Sequence, residues 1–165
     1  MRLSPETHRH IEEFLRVHFS DAQLKLPRIK IYGGKFGRFI TTHLKIGAIT
    51  IGSRIVVSPK LVGRDALGRV TLPGWLLAHE CVHVMQYKHA GLIGFFVAYL
   101  REYFKTLRVS GKLDAAARND AYRAIRHERE AREAEDEYAR WLAEQATRRA
   151  VEEIGKEPRM PLQGA

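Results

Sequence analysis

Cysteine occurs once in the 165 residues, at Cys81, so no disulfide can form within the chain. That fits a reducing compartment. Long apolar runs are also lacking. Gly91 to Leu100 is apolar but only ten residues long, half of the roughly 20 that a spanning helix needs. It is expected to be a core helix; the alternative is a membrane-surface segment, flanked by Lys88, Arg101 and Lys105. No internal repeat and no low-complexity segment stands out. The glycine-rich stretch Gly33-Gly34-Lys35-Phe36-Gly37 is not followed by G-K-[ST]. It therefore reads as a turn rather than a phosphate cradle. No leader is visible at the N-terminus. Ser4 and Pro5 read as the N-cap and first position of a helix.

Acidic residues are outnumbered, 19 against 28 Lys and Arg, for a net charge of +9. The excess is uneven. Residues 1–113 carry 18 basic against 7 acidic side chains, and residues 114–154 carry 8 against 11. A basic body can attract acidic partners or anionic surfaces, weakly and with salt dependence. The basic residues are scattered and no nucleic-acid motif is present, so nucleic acid is not the expected partner. Apolar content of 45% is ordinary for a globular chain. One domain is expected over residues 1–154, followed by a flexible tail over 155–165.

His79-Glu80-Cys81-Val82-His83 carries the chemistry. It is an H-E-x-x-H run inside an apolar helical stretch, Leu72 to Tyr87. Residues four apart share a helix face, so both imidazoles can reach one metal ion, with zinc the usual one. Glu80 sits about 100° further round, beside the place of a metal-activated water, where it can act as general base. Burying two histidines and a glutamate without partners would be costly, and a metal removes that cost. Cys81 points away from the pair and reads as packing.

A third protein ligand is needed. His89 has the spacing of a third histidine, but Gln86 stands where a glycine would have to turn the chain back. A glutamate from a later helix is the stronger expectation. In the charged stretch Ala121 to Tyr138, most glutamates read as solvated, with pairs such as Glu128–Arg132. Glu128-Arg129-Glu130-Ala131, however, has the form E-x-x-A. The small Ala131 would let this helix approach the histidine helix, with Ala121, Ala124 and Ile125 on the same face as Glu128. Glu128 is the expected ligand, with Glu130 and His89 as alternatives. Donors for an oxyanion are open among Tyr87, Tyr99, Tyr103, His127 and His43.

Around these motifs, Pro5 to Phe19 has helical periodicity, with Ile11, Phe14, Leu15 and His18 on one face. Arg28 to Tyr32 alternates like a strand. Ala48 to Ile51 and Ile55 to Ser58 read as a hairpin joined at Gly52-Ser53. Pro59 to Thr71 reads as a loop or short helix. Pro73 to about His89 is the motif helix, Gly91 to about Leu107 an apolar helix closing over the site, and about Asp114 to Ile154 one long helix or two. That order is α+β.

The segments LLAHECVHVMQYKHAGLIGFFVAYLREY and AYRAIRHEREAREAEDEYA, with GAITIGSRIVVSPKL upstream, resemble a bacterial family of zinc metallopeptidase domains. These are H-E-x-x-H-x-x-Q domains of gluzincin-like type, related to the core domain found with extracellular contractile injection systems. The resemblance covers roughly residues 45 to 138. The family's second segment runs Ile-Pro-Phe-Glu-x-Glu-Ala-Tyr, and Ile125 to Arg132 departs from it at the Pro and Tyr places. The resemblance implies a minimal zincin-like core with a small antiparallel sheet beside the metal helix. Its edge, expected at Ile55 to Ser58, could pair with an extended peptide. It also implies zinc-dependent hydrolysis of a peptide or protein substrate by a bacterial protein, and the lone cysteine, the lack of a visible leader and the short apolar run point to the cytoplasm. The alternative is a zincin-like binding or scaffold module with little turnover, although a scaffold has no need of Glu80.

Overall fold

The computed structural model describes residues 1–44, 46–112 and 114–156. Of the tail expected over residues 155–165, residues 155 and 156 are helical instead, and 157–165 lie outside the described residues. The architecture is α+β. Helix α1 (Pro5–His18) starts as the sequence requires: the Ser4 hydroxyl accepts from Thr7 N at 3.0 Å, and Pro5 opens the first turn. Its buried face is Ile11, Phe14 and Leu15. Strand β1 (Lys30–Tyr32) leads into α2 (Lys35–Leu44). The glycine-rich turn is therefore shorter than expected. Gly37 lies inside the helix, where a side chain would strike the Tyr32 and Val57 carbonyls at about 2.5 Å. Its absence lets α2 press directly on the sheet.

Strands β2 (Ala48–Ile51) and β3 (Arg54–Val57) form the expected hairpin, turning through Gly52 at φ 60°. The sheet is mixed rather than antiparallel, because β1 pairs with β3 in parallel, giving the order β1-β3-β2. The edge facing the motif helix is therefore β2, not the Ile55–Ser58 stretch. The reason is legible in hindsight. Ile55, Val56 and Val57 are all buried, a continuous apolar run suited to a strand covered on both faces. The Pro59 to Thr71 stretch opens with the expected short helix, a 3-10 turn over Pro59–Leu61, and then adds a small hairpin that pairs β4 (Gly63–Arg64) with β5 (Val70–Thr71).

Helix α3 (Gly74–Ser110) carries the motif and continues past a break at Gly91, whose φ of 70° and ψ of 167° no other residue type adopts cheaply. Up to the break the helix is buried from Leu76 through Tyr87 except at His79, which is partly exposed. Beyond it the expected core helix is only partly one. Phe95 is buried, but Leu92, Ile93, Val97 and Leu100 face outward. The long C-terminal pattern divides into α4 (Ala115–Ala124), capped by Asp114, and α5 (Arg126–Lys156). Ile125 between them is extended and buried. The break leaves Ala124 exposed instead of on the Glu128 face.

The core lies between α1, the sheet, the first part of α3 and α5, around Leu15, Ile31, Ile55, Leu77 and Met85. Ala131 and Ala134 are fully buried, which brings α5 close against α3 as the E-x-x-A reading requires. Tyr138 and Trp141 stack on each other and edge onto Phe14, tying α5 to α1. Among the described residues no helix is long and apolar enough to cross a membrane.

Candidate metal centre

Helix α3 sets His79 and His83 one turn apart, with Nε2 atoms 3.2 Å from each other. Helix α5 brings Glu128 to them. Its Oε2 is 3.7 Å from His79 Nε2 and its Oε1 is 3.6 Å from His83 Nε2. One ligand atom from each of the three residues lies within 4.8 Å of the others. The sequence alternatives are placed elsewhere. His89 is exposed near the Gly91 break. Glu130 points to Gln86 and Arg126. Cys81 is fully buried in the core.

Each putting of a ligand in place has a local cause. The N–H of Arg126, first residue of α5, donates to Glu102 Oε2 at 2.6 Å, which fixes the start and register of the helix that carries Glu128. Gln86, one turn past His83, links both helices. Its Oε1 is 2.8 Å from His83 Nδ1, and its Nε2 donates to His127 O at 3.1 Å and to Glu130 Oε2 at 2.9 Å. An amide oxygen can only accept, so His83 carries its proton on Nδ1 and offers Nε2 as a lone pair toward the site. His79 Nδ1 lies 2.6 Å from Glu135 Oε1, close but not aligned as a hydrogen bond, and has no other partner among the described residues.

Burial, with the nearby charges of His83 and Arg132 adding to it, pushes the His79 pKa down to about 3. The imidazole is therefore neutral at physiological pH, the form that binds metals. Glu80 is buried and shifted upward by that burial, opposed by His83 and by the Thr50 hydroxyl, which donates to Glu80 Oε2 at 2.6 Å. Thr50 sits on β2, so the sheet edge and the motif helix meet at this carboxylate. Glu128 Oε2 is buried and has no hydrogen-bond partner among the described residues, and Arg132 Nη2 stands 3.9 Å away.

The three residues line a cleft of about 340 Å³ whose wall is mostly apolar. Ala48, Ile49 and Thr50 of β2 form one side, and Phe95, Phe96 and Tyr99 of α3 the other. Among the open oxyanion donors, Tyr87 and Tyr99 reach the cleft. Tyr99 donates to Glu128 Oε1 at a long 3.4 Å. Tyr87 stacks on Phe95 with ring centres 3.9 Å apart. Tyr103 packs with Leu107 instead, His43 is exposed at the end of α2, and His127 does not line the cleft but lies tilted against Phe95. Tyr122 also lines the cleft. Burial, then the Glu128 charge, raises both Tyr99 and Tyr122, so each hydroxyl keeps its proton at neutral pH.

Thr50 was not singled out from the sequence, and Gln86 was read only as the residue in the glycine place. Gln86 had a signal, being polar in an apolar helix one turn beyond His83. Thr50 had none, since its partner is 30 residues away. No protein-family model matches the chain, and no curated protein or solved structure matches it.

Proposed function

We propose that the chain is a zinc-dependent peptidase in which His79, His83 and Glu128 hold the metal and Glu80 is the general base. The observation that carries this is the convergence of two imidazole nitrogens and a carboxylate oxygen beside a buried glutamate. The donor set fits zinc. Two neutral nitrogens and one carboxylate oxygen are a known catalytic set that leaves a fourth position open. The unpartnered Glu128 Oε2 is the kind of buried atom that a cation would satisfy. When bound, zinc supplies a Lewis acid that polarises a carbonyl and lowers the pKa of a water.

The chain's own residues do the rest. Glu80 takes a proton from the attacking water and passes it to the leaving amine. Its upward shift makes it a stronger base, and Thr50 fixes one of its oxygens in place. Tyr99 and Tyr122 are protonated donors within the cleft for the developing oxyanion. The edge of β2 offers backbone groups to an extended peptide, which would run past Thr50 and so past Glu80. The apolar wall favours apolar side chains in that peptide. The buried free thiol of Cys81 suits the reducing bacterial cytoplasm.

The test is cleavage of a broad peptide library by wild type, Glu80→Gln and metal-stripped protein. Cleavage by zinc-loaded wild type alone supports the reading. Cleavage by none of the three favours a binding module instead, and equal cleavage by Glu80→Gln removes the general base.

A further inference from the structure

We infer that the rim of this cleft is a docking surface for an anionic lipid bilayer. The surface is independent of catalysis and would serve a binding module equally. After the Gly91 break, α3 turns its apolar stripe outward. Ile93, Val97, Leu100 and Phe104 recur at helical spacing on one face, and Ile93 and Phe104 are 78% and 58% exposed. Across the cleft, α2 does the same. It buries only Gly37 and Thr41, while Phe36, Phe39 and Leu44 are exposed. The two surfaces border one opening, because Leu44 and Ile46 line one wall of the cleft and Phe96 the other. Soluble chains scatter exposed apolar residues singly; a run of this size around one opening marks an interaction site.

Charge selects the occupant. Arg101, Lys105 and Arg108 follow the stripe on its adjacent flank, and α2 contributes Lys35 and Arg38. The one acidic residue between Leu92 and Ser110 is Glu102, and its carboxylate is engaged by Arg126 N. Helix α2 has no acidic residue. An apolar stripe with a basic flank is the pattern of a helix lying in a membrane interface. Each basic residue near an anionic surface adds attraction, and the cytoplasmic leaflet is anionic. A second copy of the chain fits poorly, because a two-fold pairing would set basic flank against basic flank with no acidic partner. Docked this way, the cleft opens onto the bilayer surface, and the polypeptides it meets are those held there.

The test is co-sedimentation of the full chain with vesicles of phosphatidylcholine alone or mixed with phosphatidylglycerol. The chain should pellet with the mixed vesicles, hardly at all with the neutral ones, and less as salt rises. Replacing Arg101, Lys105 and Arg108 together by Gln should weaken partitioning about a hundredfold. Ile93→Ser with Phe104→Ser should weaken it too, and Val17→Ser, an exposed apolar residue on α1, should not. Failure of the wild type to pellet with the mixed vesicles overturns the inference without reference to any variant's folding. So does partitioning that both sets of substitutions leave unchanged. A dimer in solution that Ile93→Ser with Phe104→Ser dissolves, with no vesicle binding, would give the face to a second copy.

Discussion

Thr50 on the sheet edge donates its hydroxyl to Glu80 on the motif helix at 2.6 Å, and both are buried. The contact joins the strand that would align a peptide to the carboxylate that would take the water's proton. Thr50→Val keeps the shape and removes the donor. It should lower peptide turnover by at least about tenfold, because the base loses its orientation, while zinc content stays at the wild-type level. Stability should fall by about 1–3 kcal/mol, the cost of leaving a buried acceptor unpaired. Turnover and melting measured together check this, and wild-type turnover in the variant would remove Thr50 from the mechanism.

Gln86 holds His83 from behind and crosses to α5 through His127 O and Glu130. Gln86→Leu frees the imidazole to rotate and cuts the link between the helices. Zinc affinity should drop about 10- to 100-fold, as it does when a supporting partner of a metal-bound histidine is lost. Competition with a coloured chelator reads this directly, and unchanged affinity would reduce Gln86 to packing.

The third ligand can be separated from its alternatives by three variants. Glu128→Gln should lose tight zinc binding, whereas Glu130→Gln and His89→Ala should retain one equivalent. Glu130 remains near the site only through Gln86, so its variant should cost less than Glu128→Gln by about an order of magnitude in affinity. Loss in the Glu130 or His89 variant with retention in Glu128→Gln would reassign the ligand.

His79 gives a pH dependence whose sign follows from its burial. Unfolded, its imidazole ionises near 6.5; folded, only near 3. Between those values the unfolded chain binds a proton that the folded chain refuses. The stability of the metal-free protein is thus complete above about pH 6.5 and is lost as pH falls toward about 3. Melting of the metal-free wild type at about pH 7 and about pH 5 should show the loss, and His79→Asn should lose less. Equal slopes in the two proteins would mean that His79 is solvated. Zinc affinity should fall over the same acid range, since protons compete for the ligand nitrogens.

What the sequence made legible was local. Ser4 and Pro5 announce the start of α1, and the four-residue spacing of His79 and His83 needs nothing beyond one helix. Glu128 was reached through Ala131, because a small residue on a charged helix signals close packing. What stayed hidden depends on distant parts of the chain. The parallel pairing of β1 with β3 placed β3 in the centre and gave the edge to β2. Helix α2 has only Lys35, Arg38 and Leu44 as strong helix formers among glycine, aromatic and β-branched residues, and its packing on the sheet outweighs their weak propensity. The break at Ile125 contains neither proline nor glycine; Glu102, 24 residues earlier, caps the helix that follows. The outward turn of the Gly91–Leu100 run follows from one backbone angle at Gly91 that composition does not reveal.

The metal itself is the most direct test of the site. Elemental analysis of purified wild type and His79→Ala, with folding of both checked by circular dichroism, should find one zinc per chain in the wild type and almost none in the variant. Equal zinc in the two proteins, or none in a wild type supplied with zinc during purification, would contradict the site that His79, His83 and Glu128 are proposed to form.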